Sequence, residues 1–164
     1  MNGILRRASK ADALPAFELR NLAILSQCVD CYGVDAMTKW TEGEMPAAYA
    51  EKLLNDGYVY VVDGLPNAPE QQLIIATGML DVSTGFIDAL FVHPQYMKLG
   101  IGKLMLDHLE LIAKASGLVF IALESTLNAA DFYRKCGFNG NKKSVYHSPR
   151  GFDLDCVVMQ KQLV

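Results

Sequence analysis

Asp88–Gly102 reads DALFVHPQYMKLGIG, and Asn128–Phe138 reads NAADFYRKCGF. In the first segment an apolar strand runs through a short loop into the glycine-rich start of an amphipathic helix. A strand, a loop of backbone N–H groups and a helix N-terminus together make a place to hold phosphate. The second segment predicts a helix that opens with an asparagine and carries a tyrosine near its end. That phenol is placed to supply a proton to whatever the phosphate carries.

Outward from these segments the chain alternates strands and helices. Ile4–Ala8 reads as a short strand. Asp12, as N-cap, and the apolar series Leu14, Phe17, Leu22, Leu25 predict a helix to about Cys31. Gly33–Thr41 reads as a break containing the only tryptophan, Trp40, and Pro46–Asn55 as a second helix closed by Asp56-Gly57. Tyr58–Asp63 is β-branched and aromatic, a strand signal, and Gly64–Gln71 reads as an exposed turn. Leu73–Val82 and Phe86–Val92 form an antiparallel pair around Ser83-Thr84-Gly85. Gly100–Ser116 is the clearest helix, with Ile101, Leu104, Met105, Leu109 and Ile112 on one face. Leu118–Leu123 is a continuous apolar run, as expected of a strand covered on both faces. A helix over Asn128–Cys136 follows, then strands near Lys142–His147 and Leu154–Gln160. The order βααβββαβαββ predicts an α/β domain spanning residues 1–164. Its sheet is mixed and mostly antiparallel, flanked by helices, with one right-handed βαβ crossover.

Composition bounds the function. The 164 residues are 51% hydrophobic and 20% charged, ordinary for a globular protein long enough to bury a core. A net charge of −3 argues against a general nucleic-acid binder. No window approaches the ~18 apolar residues of a membrane helix, and the start MNGILRRASK lacks the apolar run of a signal peptide. A cytoplasmic protein is expected. Cys28, Cys31, Cys136 and Cys156 do not form a disulfide framework in a chain of this type. Cys28-Val-Asp-Cys31 has redox spacing but falls late in a helical pattern, and no second pair or histidines complete a zinc site. The expectation is reduced thiols facing one helix side, and no metal.

The glycine loop is neither of two familiar phosphate motifs. A P-loop, G-x-x-x-x-G-K-S/T, requires Ser or Thr after Lys103, where Leu104 stands, and an earlier glycine where Met97 stands. A dinucleotide fingerprint requires glycine at position 105, which is Met105. Simple helix-packing glycines are the remaining alternative.

The loop does resemble the acyl-CoA-binding motif of the GNAT (GCN5-related N-acetyltransferase) superfamily, Gln/Arg-x-x-Gly-x-Gly/Ala. There it follows a strand ending like Val92-His93-Pro94, and Gly100 and Gly102 fill the glycine positions. Met97 departs from the usual glutamine or arginine. The resemblance continues through ALESTLNAADFYRKCGF, residues Ala122–Phe138. It extends to small bacterial members in the tail YHSPRGFDLDCVVMQKQL. It implies splayed central strands and acyl transfer from acetyl-CoA to an amine of a small molecule or peptide, with homodimerisation plausible.

The resemblance also implies roles. The cofactor pyrophosphate would lie on the N–H groups of Leu99, Gly100, Ile101, Gly102 and Lys103, with Lys98 and Lys103 adding charge. The pantetheine arm would pair with Leu90, Phe91 and Val92, and an N–H of Leu90 or Val92 would stabilise the oxyanion. Asn128 would contact the arm, or serve as an N-cap. Tyr133 would be the general acid, since a phenol of pKa ~10 can protonate the leaving thiolate. An acceptor amine of pKa ~10.4 must lose a proton before attack. Asp88 and Glu124 are the candidate bases, Asp88 sharing Leu90's face in a regular strand, with a water chain as substitute and His93 and His147 as poorer choices. Tyr32, Trp40 and Tyr58 are candidates for shaping the acceptor pocket, though core packing explains them equally well. A non-catalytic acyl-CoA sensor is the alternative from a different class.

Overall fold

The computed structural model describes residues 3–64 and 72–164. Its strands are β1 (Gly3–Arg7), β2 (Gly57–Val62), β3 (Leu73–Asp81), β4 (Phe86–Val92), β5 (Phe120–Thr126), β6 (Asn139–His147) and β7 (Asp153–Gln162). Its helices are α1 (Ala13–Gln27), α2 (Val29–Tyr32), α3 (Val34–Thr41), α4 (Ala47–Asp56), α5 (Ile101–Ala115) and α6 (Ala130–Lys135). The strands form one seven-stranded sheet in the order β1-β2-β3-β4-β5-β7-β6. Every neighbouring pair is antiparallel except β4 and β5, which run parallel and share a single register pair, Phe86 with Ala122. Beyond it the two strands separate, as the sequence resemblance implied.

The alternation of side chains along each strand builds two cores. Tyr58, Tyr60 and Val62 of β2 pack with Leu80, Ile121, Leu123 and the Met105–Leu109 stripe of α5 on one face. Val59 and Val61 turn the other way, onto Ala16, Leu19 and Leu53 of α1 and α4. A third cluster gathers Ile24, Met37, Trp40 and Leu154 around Phe91.

Several sequence expectations are corrected. The first helix ends at Gln27, and after Cys28 the chain makes the short turn α2. The four thiols are free, but Cys28 is buried and Cys31 exposed, so these two do not share a side. Gly33–Thr41 is not a break: Gly33, at φ +89°, turns the chain into α3, which inserts Met37 and Trp40 into the third cluster. β5 begins two residues later than expected, and it is not covered on both faces: Ile121 and Leu123 are buried while Phe120 is 45% exposed. In α5, Leu104 leaves the buried stripe and is exposed. Of the expected Gly64–Gln71 turn, residues 65–71 lie outside the described residues.

Asp12 does not cap α1 with its side chain. It closes a capping box on the preceding 3-10 turn, Lys10–Asp12, accepting from the Ser9 N–H at 2.7 Å and from the Arg6 guanidinium at 2.7 and 3.0 Å. The Arg6 hydrogen bond, ahead of the Ser9 contacts, holds the Asp12 carboxyl below the usual carboxylate range despite its burial. A carboxyl depressed on folding stabilises above its unfolded pKa of ~3.9 and loses that contribution as pH falls through the folded value. Asp12→Asn should therefore lower stability at neutral pH by about 1–3 kcal/mol. The difference from the parent should shrink steadily under acid in urea titrations; a difference independent of pH would contradict the assignment.

Candidate active site

The phosphate loop follows β4 through the 3-10 turn Pro94–Tyr96, which His93 closes by accepting the Gln95 N–H on Nδ1 at 3.1 Å. Lys98 and Gly100 then both take the left-handed conformation, at φ +63° and +81°. The first helical bond of α5 runs from the Leu104 N–H to the Gly100 carbonyl, at 3.0 Å. The preceding N–H groups, Lys98 to Lys103, meet no backbone acceptor among the described residues. They open at the positive end of a four-turn helix dipole, which favours an anion there.

The two glycines serve different ends. Nothing lies within 4 Å of where a Gly100 Cβ would stand, so glycine is required there by φ alone. A Cβ on Gly102 would stand 3.2 Å from the Phe132 ring and 3.5 Å from Val92, so that glycine lets α5 pack against α6 and β4. Met97, 38% exposed, presents a thioether where the family motif has an amide or guanidinium. Lys103 is engaged with Asp107 at 2.7 Å, while Lys98 has no carboxylate partner among the described residues.

The free edge of β4 faces the opening. The His93 N–H donates to the Ile75 carbonyl of β3 at 2.8 Å. By the two-residue alternation of a strand, the N–H groups of Leu90 and Val92 point the opposite way, toward β5, while that of Phe91 points to β3. No register pair joins that edge to β5 beyond Phe86.

Tyr133 lies on the α5 side of the sheet, 8% exposed, edge-on to Phe132 and Phe138 at centroid distances of 5.2 and 5.6 Å. Burial pushes its pKa upward, so the phenol stays protonated. Its hydroxyl has no hydrogen-bond partner among the described residues. Asn128 is exposed in the turn before α6, where the N-cap is Ala129, so the expected capping role falls away. Its amide instead approaches the Cys28 thiol, whose pKa burial raises to about 11.

The carboxylates stand on the other face, and for Asp88 this corrects the sequence reading. Leu80 pairs with Ile87 and Met79 with Ala89, leaving Asp88 as the extra residue of a β-bulge. Ile87 and Leu90 consequently both face α5, whereas Asp88 turns to α4 and meets Lys52 at 3.0 Å. Burial raises the Asp88 pKa even though Lys52 draws it down. Glu124 alternates with the buried Leu123 and Ser125 and so projects to the same side. Tyr146 feels the charges of both acids, and burial raises its own pKa.

The remaining candidates are committed elsewhere. The Tyr32 hydroxyl donates to the Asp155 carbonyl at 2.6 Å and accepts the Leu127 N–H at 2.8 Å, tying the turn after β5 to β7; burial raises its pKa to about 12. Trp40 is buried against Tyr146 and Phe152. Tyr58 packs edge-on to His108 in the α5 core. His147 is exposed beside Asp153. Tyr146 escaped the sequence reading because the alternating strand around it gave no chemical signal. Among the described residues no helix is long and apolar enough to cross a membrane.

The parted sheet with an amide-lined loop at the mouth of the opening belongs to an acyltransferase, as the family match and the relatives show. The chain belongs to the acetyltransferase (GNAT) domain family, whose model matches residues 55–139. It is 29% identical over 154 residues to the rice (Oryza sativa subsp. japonica) protein named probable glucosamine 6-phosphate N-acetyltransferase 2, covering 87% of this chain and 86% of that one. It is 35% identical over 91 residues to the peptidyl-lysine N-acetyltransferase YjaB of Salmonella typhimurium, covering 51% of this chain and 59% of YjaB. Among solved structures, a GCN5-related N-acetyltransferase from Rhodopseudomonas palustris superposes with a TM-score of 0.86 at 22% identity, covering 99% and 96% of the two chains. The PaiA N-acetyltransferase of Thermoplasma acidophilum, in complex with coenzyme A, gives 0.72 at 21% identity, covering 99% of each. These last two likenesses concern the fold.

Gly100→Ala adds a methyl group into open space, so its effect reports backbone conformation alone. It should cost about 1–2 kcal/mol in urea unfolding and weaken coenzyme A binding as the loop relaxes. An unchanged midpoint together with unchanged affinity would contradict the left-handed cradle.

Proposed function

We propose that the protein transfers an acetyl group from acetyl-CoA to a primary amine of a small molecule or peptide by direct attack, with Tyr133 as general acid. The observation that carries this reading is the division of chemistry across the opening between β4 and β5. An unpartnered phenol lies on one side of the sheet and two carboxylates on the other. The names of the rice and Salmonella relatives, and the coenzyme A complex of the Thermoplasma neighbour, support the cosubstrate and the amine acceptor.

In this reading the N–H groups of Leu99–Lys103 take the pyrophosphate and the free edge of Leu90–Val92 takes the pantetheine arm. The amine enters from the α1–α4 side and gives up its proton to Asp88 or Glu124, directly or through water. Its nitrogen then forms a bond to the thioester carbonyl carbon. The carbonyl oxygen gains charge, and the Leu90 or Val92 N–H stabilises it. As the C–S bond breaks, the sulfur takes the Tyr133 proton, the nitrogen gives up its second proton to solvent and the phenolate is reprotonated from solvent, so one proton is released per turnover. Burial keeps the Tyr133 phenol protonated, so the proton is present when the C–S bond breaks.

Tyr133→Phe should lower kcat by about 10²-fold or more in a thiol-release assay against a panel of amines, with coenzyme A affinity preserved. Full turnover in the variant would remove Tyr133 as the acid. Tight coenzyme A binding by the parent with no thiol release from any amine would favour a sensor.

A further inference from the structure

Two guanidinium groups on the acceptor side have no part in the reaction above. Arg20, on α1, stacks over the Phe17 ring at 5.4 Å and the Trp40 ring at 5.5 Å. Its polar contacts are the Asn21 side-chain oxygen at 2.6 Å and the Trp40 carbonyl at 3.5 Å. Arg150 stands in the turn between β6 and β7, 6.0 Å from the same Phe17 ring, and donates to the Glu42 carbonyl. Neither meets a carboxylate among the described residues.

This is an unusual way to hold two cations. Arginine on a shielded site is ordinarily paired, and a guanidinium fork is matched to carboxylate or phosphate oxygens. Here the two groups instead face one ring and repel each other. Burial, and then the Arg150 charge, lower the Arg20 pKa. Tyr49 stands edge-on to the same Phe17 ring at 5.1 Å, and burial pushes its pKa up to about 12, so its hydroxyl stays protonated. The Asn21, Trp40 and Glu42 oxygens accept from the two guanidiniums, but no carboxylate neutralises them among the described residues.

The place is connected to the opening. Phe91 of β4 packs in the same cluster as Trp40, Tyr146 and Phe152. Tyr146 packs against Trp40 with ring centroids 6.1 Å apart and also feels the charges of Arg20, Asp88 and Glu124. A molecule with its amine at the carboxylates would thus extend toward the two arginines.

We infer that the acceptor carries an oxyanion, a carboxylate or a phosphate monoester, which Arg20 and Arg150 bind while the amine is held at the opening. This rests on the transferase reading proposed above. It adds a requirement on the substrate: an amine with an anionic group, in preference to a neutral amine or a polyamine.

Two measurements test it. First, protein saturated with coenzyme A, so that the loop of α5 is occupied, is titrated calorimetrically with inorganic phosphate and with glutarate. At least one anion should bind, and Arg150→Gln and Arg20→Gln should each weaken it tenfold or more. Melting temperature and coenzyme A affinity report whether each variant is folded, and Arg150, in a turn, is the safer of the two. No binding of either anion, or equal binding by parent and folded variants, overturns the site. Second, thiol release is compared for glucosamine 6-phosphate against glucosamine and for β-alanine against β-alaninamide. The anionic member of at least one pair should show kcat/KM at least tenfold higher, and Arg150→Gln should collapse that ratio. The favoured pair tells phosphate from carboxylate. Equal use of anionic and neutral amines overturns the inference and leaves the transferase standing. Anion binding without turnover of any amine overturns the transferase reading and the acceptor assignment with it.

Discussion

The structure depends on one interrupted pairing. β4 and β5 run side by side in the same direction but meet at only one register pair. A strand edge left unpaired is ordinarily a liability, because its N–H and C=O groups need partners. Here the edge lies inside the sheet, between β3 and β5, rather than at its rim. The neighbouring pairs hold the opening from both sides: β3 binds β4 from Phe86 to Val92, and β7 binds β5 from Phe120 to Thr126. The parted strands are therefore fixed in position, and the N–H groups of Leu90 and Val92 are fixed with them. The loop that follows β4 carries its own unpaired amides to the start of α5. Both halves of the proposed cosubstrate site thus arise from backbone geometry, which explains how Met97 can stand where a polar side chain is usual.

The bulge at Asp88 adds the second constraint. An extra residue in β4 turns Asp88 away from α5 while leaving Leu90 and Val92 facing it. The acids and the phenol consequently stand on opposite faces, with the gap as the direct route between them. In the proposed reaction that arrangement separates proton removal from the amine and protonation of the sulfur. It also keeps Tyr133 in an apolar setting, where its hydroxyl is not drawn to a carboxylate.

Much of this was legible in the sequence, and for local reasons. Apolar and β-branched runs bounded by turn residues located every strand, and the glycine spacing located the α5 N-terminus. What escaped depended on contacts distant in the chain. The face of Asp88 is set by cross-strand register, which a single strand does not reveal. α3 was missed because two apolar residues, Met37 and Trp40, give too short a period to register against a glycine. Tyr32 reads as a pocket aromatic in the sequence, but its hydroxyl bridges Leu127 and Asp155, which are distant in the chain. Arg20 and Arg150 are far apart in sequence and meet only because α1 and the β6–β7 turn converge on Phe17.

The central claim is that the parted edge of β4 and the amides before α5 form one continuous site for acyl-CoA. A coenzyme A titration followed by ¹H–¹⁵N correlation spectra tests it most directly. The largest shifts should fall on the amides of Leu99 to Lys103 and on those of Leu90 and Val92. Tight binding with those amides unmoved, or shifts confined to the opposite sheet edge at β1 or β6, would contradict it.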